Sequence, residues 1–265
     1  MSESIDNDLS FLLYDILGQT TKSIQLNQMN RAMWEGRNFC SVFMRFLSKR
    51  MCPNTSTIHF RDFGRICPSE QQFELKLLKL IFSRAKRISD IYMTVREEDE
   101  RHYFPKIPLG IWNELSKMKT LQRVWIARYR LAHCDMIGLC QQLPNLEVLS
   151  VLVEWVVRHN LWTIDPHCKL RALYLTFSVV GSNKVGLSKL LEPPNLETVF
   201  LTNLKVSKEE LVKTAKLVEQ ESILNRISMI VLRMDRNTRW HEIKEGEKFV
   251  NTVLRLRESR ASLEF

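Results

Sequence analysis

The chain has 265 residues and a formal charge of +9, with 45% hydrophobic and 26% charged residues and only eight glycines and eight prolines. This composition excludes a long disordered chain, and with no apolar run near the ~18 residues that span a bilayer it excludes a helical membrane protein. Six cysteines without a CxxC pair, and an amino terminus with Glu3, Asp6 and Asp8 ahead of any Lys or Arg, point away from a secreted disulfide frame and from a secretory or mitochondrial leader. The expected location is cytoplasmic or nuclear, with the cysteines as buried free thiols.

In chain order, a first helix is expected over 6–18, with an apolar face of Leu9, Leu12, Leu13, Ile16 and Leu17 and Gly18 to end it. A second is expected over 23–34 on Ile24, Leu26, Met29 and Met33, and a third over 38–50 on Phe39, Val42, Phe43, Phe46 and Leu47, stopped by Pro53. Residues 1–52 thus read as a helical head, and 53–265 as a second domain. A helix over 70–86 follows, then one opened by Pro105 and Pro108 with Ile111, Trp112, Leu115 and Met118. The later helical segments are 134–143, a looser 155–165, 185–191 and 207–221. The last of these starts with a capping box from Ser207 to Glu210 and turns Leu211, Ala215 and Val218 inward. A final helix over 242–257, with Phe249, Val253 and Leu256 on one face, is expected to cover the carboxy-terminal end.

Between these helices one phrase recurs. Apolar residues stand at offsets zero, three and five in Leu121/Val124/Ile126, Leu146/Leu149/Val151, Leu170/Leu173/Leu175 and Leu196/Val199/Leu201, and a further apolar residue follows each at offset ten: Leu131, Val156, Val180 and Val206. The steps are 25, 24 and 26 residues. Weaker copies begin at Thr55, Ile88 and Ile227. Each phrase predicts a short strand, near 57–60, 90–94, 123–127, 148–152, 172–176, 198–202 and 229–233. A unit of strand, turn and returning helix cannot bury its own apolar side, so neighbours must stack in parallel.

This pattern resembles the leucine-rich repeat family. The resemblance implies an α/β fold: a short irregular solenoid with parallel strands on the concave face, helices outside and a carboxy-terminal capping helix. The family's Asn or Cys at offset eight is replaced by Tyr129, Glu154, Ser178 and Leu204, with Asn203 one place early, so a regular asparagine ladder is not expected. The head before the repeats is similar to the F-box of F-box leucine-rich-repeat proteins, through DLSFLLYDIL from Asp8 and NRAMW ending at Trp34. That resemblance implies a substrate receptor of a cullin ubiquitin ligase, with Leu9, Leu12, Leu13, Ile16 and Trp34 on a Skp1-like adaptor. The family's Leu-Pro opening is Leu9-Ser10 here, and three apolar helices equally suit a plain end cap of the solenoid.

No nucleotide-binding, nucleophile-elbow or zinc-protease motif occurs, so no enzyme, cofactor or metal is expected. His133-Cys134, Cys140 and His167-Cys168 lack the paired spacing of a zinc site. The functional signal is on the strands, where side chains alternate. Outward positions of the phrase are His59, Tyr92, Trp125, Ser150, Tyr174, Phe200 and Val231, and the next row is Arg61, Thr94, Ala127, Leu152, Thr176, Thr202 and Arg233. Exposed aromatics with polar and basic flanks suit protein interfaces, so Tyr92, Trp125, Tyr174, Phe200, Thr202 and Arg233 are the expected partner-binding residues. The alternative is a nucleic-acid-associated adaptor using the stretch 37–87, which holds eleven basic and three acidic residues.

Overall fold

A computed structural model of the chain describes residues 23–27, 56–61, 79, 87–93, 106–107, 109–154, 168–178, 185–235, 238–257 and 260–264. The helices expected over 6–18 and 38–50, all of 70–86 but Lys79, the segment 155–165, and Val156 and Val180 lie outside these residues. The chain divides into two units, residues 1–103 with 107–121, and residues 104–106 with 122–265.

Among the described residues of the first unit are the strands β1 (Ser23–Asn27), β2 (Thr57–Arg61) and β3 (Asp90–Met93), paired in parallel in that order. Register aligns Ile24 with Ile58 and Ile58 with Ile91. Ile58, Ile91 and Met93 are buried completely or nearly so. A short helix, α1 (Leu109–Leu115), buries Ile111 and Leu115, and the Thr120 hydroxyl donates to the Ile88 carbonyl at 2.8 Å. The helix expected over 23–34 is not formed at its start, because residues 23–27 are strand. Ile24 and Leu26 alternate with Ser23, Gln25 and Asn27, the two-residue period of a half-buried strand, and β2 supplies the partner that fixes it.

The second unit holds β4 (Arg123–Ala132), α2 (His133–Gln142), β5 (Val148–Glu154), β6 (Ala172–Phe177), a single helical turn α3 (Leu187–Leu190), β7 (Thr198–Leu204), α4 (Lys208–Glu219), β8 (Met229–Met234), α5 (Trp240–Arg257) and β9 (Arg260–Glu264). Successive strands pair in parallel from β4 through β9. The described residues therefore form an α/β protein with parallel strands, and all seven strands expected from the phrase are present. Register aligns Leu149 with Leu173, Leu173 with Val199 and Val199 with Ile230. The apolar positions at offsets three and five, from Val124 to Leu232, are no more than 3% exposed. Burying a Leu or Val side chain contributes about 1.5–3 kcal/mol, so this stacked column is the main source of the unit's stability.

A second regularity lies in the main chain. At the start of β3, β5, β6, β7 and β8, two successive N–H groups donate to one carbonyl of the preceding repeat. Ser89 and Asp90 donate to Ser56 O in the first unit; in the second, Glu147 and Val148 donate to Gln122 O, Arg171 and Ala172 to Glu147 O, Glu197 and Thr198 to Arg171 O, and Ser228 and Met229 to Glu197 O, all at 2.8–3.0 Å. A carbonyl has two lone pairs, so one oxygen accepts both donors.

Other details differ from expectation. β4 carries three more residues than β5 between Ile126 and Arg130, so the neighbour of Leu152 is Arg130 and not Ala127. Tyr129, in that insertion, and Leu204 are fully buried, and apolar packing thus replaces two polar rungs at offset eight. Asn203 supplies one rung: with φ of 56° at the bulge in β7, its Nδ2 donates to the Phe177 carbonyl at 3.4 Å. Only half of the capping box forms. Ser207 Oγ accepts from the Glu210 N–H at 3.2 Å, while the Glu210 carboxylate accepts from the Ser188 N–H at 2.8 Å and the Ser188 hydroxyl at 2.6 Å, capping α3 from the neighbouring repeat. Thr214 is the fully buried residue of α4 between Leu211 and Val218, whereas Ala215 is half-buried; Thr214 resolves its own polarity by donating to the Glu210 carbonyl at 2.6 Å. In α5, Phe249, Val250 and Val253 are buried, but Leu256 is 38% exposed. α5 is also not the last element. It connects β8 to β9, and Leu263 of β9 lies against Gly246.

Candidate functional site

Alternation along the strands puts the expected aromatics on the side opposite the buried column, and the parallel register sets them in rows. In the first unit His59 and Tyr92 are cross-strand partners, stacked with ring centroids 4.6 Å apart and planes within 8°. In the second unit Tyr174 and Phe200 are partners at 5.3 Å and 15°. Trp125 and Tyr174 also approach to 5.3 Å, with planes 31° apart, although the β5 strand lies between their own strands. Two strand spacings amount to about 9–10 Å, so these rings lean towards each other over Ser150. That lean explains why Ser150, expected to be exposed, is only 9% exposed: the residue between two large rings is the smallest of the row, and the rings close above it.

Trp125, Tyr174 and Phe200 are each half-buried, as is Val231 at the next register position. One step along the strands, Thr176 is exposed, its partner Thr202 is half-buried, and Arg233 is exposed. One step the other way, Val148, Ala172, Thr198 and Met229 are half-buried and Arg123 is exposed. The structure therefore gathers Trp125, Tyr174, Phe200, Thr202 and Arg233 on one face of the second unit, and places Tyr92 with His59 in the first. The Val148–Met229 row was not among the expected site residues, although the same alternation marks it. Leu9, Leu12, Leu13, Ile16 and Trp34 lie outside the described residues, as do most of the basic stretch 37–87 and His167; Ser23–Asn27 is strand where the head was expected to be helical.

Groups with perturbed ionisation lie off this face. The hydrogen-bonded Arg171 guanidinium, with Nη2 2.7 Å and Nε 3.0 Å from the carboxylate oxygens, holds the Glu197 carboxyl below its usual range, and the same contact raises Arg171. Lys248 lowers Glu245 in the same way. Burial, reinforced by neighbouring Cys168, pushes the Cys140 thiol up to about 12. A thiol held protonated at neutral pH is a poor nucleophile and a poor metal ligand, so Cys140 acts as a small core residue. Cys134 is exposed, contrary to the expectation of buried thiols, whereas Cys140 and Cys168 are buried. Among the described residues no group of three His, Cys, Asp or Glu side chains is placed to hold a metal ion, and no helix is long and apolar enough to cross a membrane.

Comparison with protein-family models finds no match, and comparison with curated proteins finds none.

Proposed function

We propose that the chain is a non-enzymatic protein-binding module, a short irregular solenoid of the leucine-rich-repeat type, which holds its partner on the sheet face centred on Trp125, Tyr174 and Phe200. The observation that supports this reading is the half-exposed aromatic row itself. Three large rings are ordered by their register and by mutual stacking, yet each keeps part of its surface in water. Rings fixed before a partner arrives lose little side-chain entropy on binding, which is what makes aromatic anchors effective. Thr202 and Arg233 stand at the rim, where polar groups set orientation more than affinity.

The test is a titration of the full chain and of its Trp125→Ala and Phe200→Ala variants against a protein co-purified from native cells. Loss of a central anchor is expected to weaken binding by about 2 kcal/mol, roughly thirtyfold. Reversing charge in the basic stretch, with Arg45→Glu and Lys49→Glu, is expected to leave that affinity in place. Ring variants that bind normally while the charge-reversed variant does not would replace this reading with the basic-surface one.

A further inference from the structure

The strand β9 has a neighbour on one side only. Ala261 is in register with Ile230 and Leu263 with Leu232, and among the described residues no strand pairs with the other side of β9. The buried column stops short there. Ile230 and Leu232 are fully buried, whereas Leu263, next in the row, is half-buried. Leu256 shares the helix face on which α5 buries Phe249 and Val253, and it is exposed. In a stacked array each repeat is covered by the next, and an edge strand offers its main-chain N–H and C=O groups to a further strand. The order of residues in β9 identifies that strand. Arg260, Ala261, Ser262, Leu263 and Glu264 run from a positive to a negative residue through a polar centre flanked by apolar residues. Such a strand complements itself when reversed. Two copies laid antiparallel about Ser262 bring Arg260 opposite Glu264 twice and Ala261 opposite Leu263 twice. Residues directly opposite in an antiparallel pair share a face, so the apolar positions continue the column and the charged ones lie on the other side of the sheet. Within its own chain Glu264 is in register with Arg233. The charged row therefore runs Arg233, Glu264 and then Arg260 of the second copy, and no like charges are adjacent.

We propose that a second copy of the chain docks on this edge, the two β9 strands pairing antiparallel about a twofold axis at Ser262. The test is sedimentation equilibrium of the full chain over a range of concentrations, with Arg260→Glu and Glu264→Arg measured separately and as an equimolar mixture. The wild type is expected to show a monomer–dimer equilibrium. In Arg260→Glu a carboxylate comes opposite Glu264 of the second copy, and in Glu264→Arg a guanidinium comes opposite Arg260, so each variant alone is expected to dimerise about tenfold more weakly or not at all. In the mixture every opposing pair is again of opposite sign, and the dimer is expected to return as a heterodimer of the two variants. Recovery on mixing also shows that both variants fold. Should either reversal prevent folding, Arg260→Gln and Glu264→Gln remove the charge without reversing it, and each is expected to weaken the dimer severalfold. A wild type that stays monomeric at every concentration overturns the proposal. So does a dimer indifferent to all of these variants, in which the copies meet elsewhere, and so do two folded, monomeric reversals that remain monomeric when mixed.

Discussion

Leu173 and Tyr174 are adjacent on one strand and face opposite sides of it, so truncating each to alanine measures the two faces against each other. Leu173 is fully buried and aligned with Leu149 and Val199, which are fully buried too. Leu173→Ala removes three carbon atoms at about 0.8 kcal/mol each and leaves a gap between two stacked repeats. With the cavity included, the expected loss is about 2–5 kcal/mol. Tyr174→Ala removes two ring neighbours, each pair contributing about 0.5–1.5 kcal/mol, while the ring is half in water already and Ser150 beneath it accepts hydration at little cost. A loss of about 1–3 kcal/mol follows, smaller than that of Leu173→Ala in the same experiment. Urea denaturation of the full chain, followed by far-ultraviolet circular dichroism, reads both through the midpoint, provided the slope is unchanged. An unmoved midpoint in Leu173→Ala would show that the stacked register is wrong. A loss in Tyr174→Ala equal to or above that in Leu173→Ala would show that the rings belong to a closed core and that no partner face exists there.

Two further predictions concern polar contacts between repeats. Glu210→Ala leaves the nearly buried Ser188 without its acceptor for both N–H and hydroxyl, and is expected to destabilise by about 1–3 kcal/mol; Glu210→Gln keeps an acceptor oxygen and should recover much of that in the same urea titration, and equal losses would show that the carboxylate charge matters more than the bonds. The Glu197 carboxyl is lowered from its usual 4.5 by Arg171, so its contribution is fully present above that value and is lost as pH falls through the lowered one. The pair is solvent-exposed, so the effect is small and screened by salt. Melting temperatures of the wild type and Arg171→Ala should differ slightly at neutral pH and converge at acid pH, and a gap that widens on acidification would contradict the sign.

The strands were legible because burial repeats with the phrase. Wherever offsets three and five are both apolar, from Ile58 to Leu232, a strand lies there. β1 was hidden because Ile24 and Leu26, which alternate, continue into Met29 and Met33 at helical spacing; the pattern admits both periods, and only the pairing with β2 decides. β9 was hidden because Ala261 and Leu263 are too few to form a pattern, and its partner register with β8 is a property of the fold. At the site, alternation identified which rings leave the core, but not that Trp125 and Tyr174 meet across an intervening strand. That contact depends on Ser150 being small, a relation between three repeats that no single repeat displays. The role of Glu210 was misread for the same reason: its local spacing to Ser207 is that of a self-contained cap, whereas its carboxylate serves a helix 22 residues earlier.

The paired N–H groups on Ser56, Gln122, Glu147, Arg171 and Glu197 have a consequence for how such a chain can change over time. The joint between neighbouring repeats is made by main-chain atoms, so any residue other than proline as donor can stand there; the side chains at these carbonyls are in fact Ser, Gln, Glu, Arg and Glu. The interval from one joint to the next is also free to vary: the sequence separations are 33 residues from Ser56 to Ser89, 25 from Gln122 to Glu147, 24 from Glu147 to Arg171, 26 from Arg171 to Glu197 and 31 from Glu197 to Ser228. Residues gained or lost on the helical side alter the length of an arc whose two ends stay pinned. A lineage of such proteins can therefore drift in length and in almost every surface residue while the sheet face keeps its rows aligned.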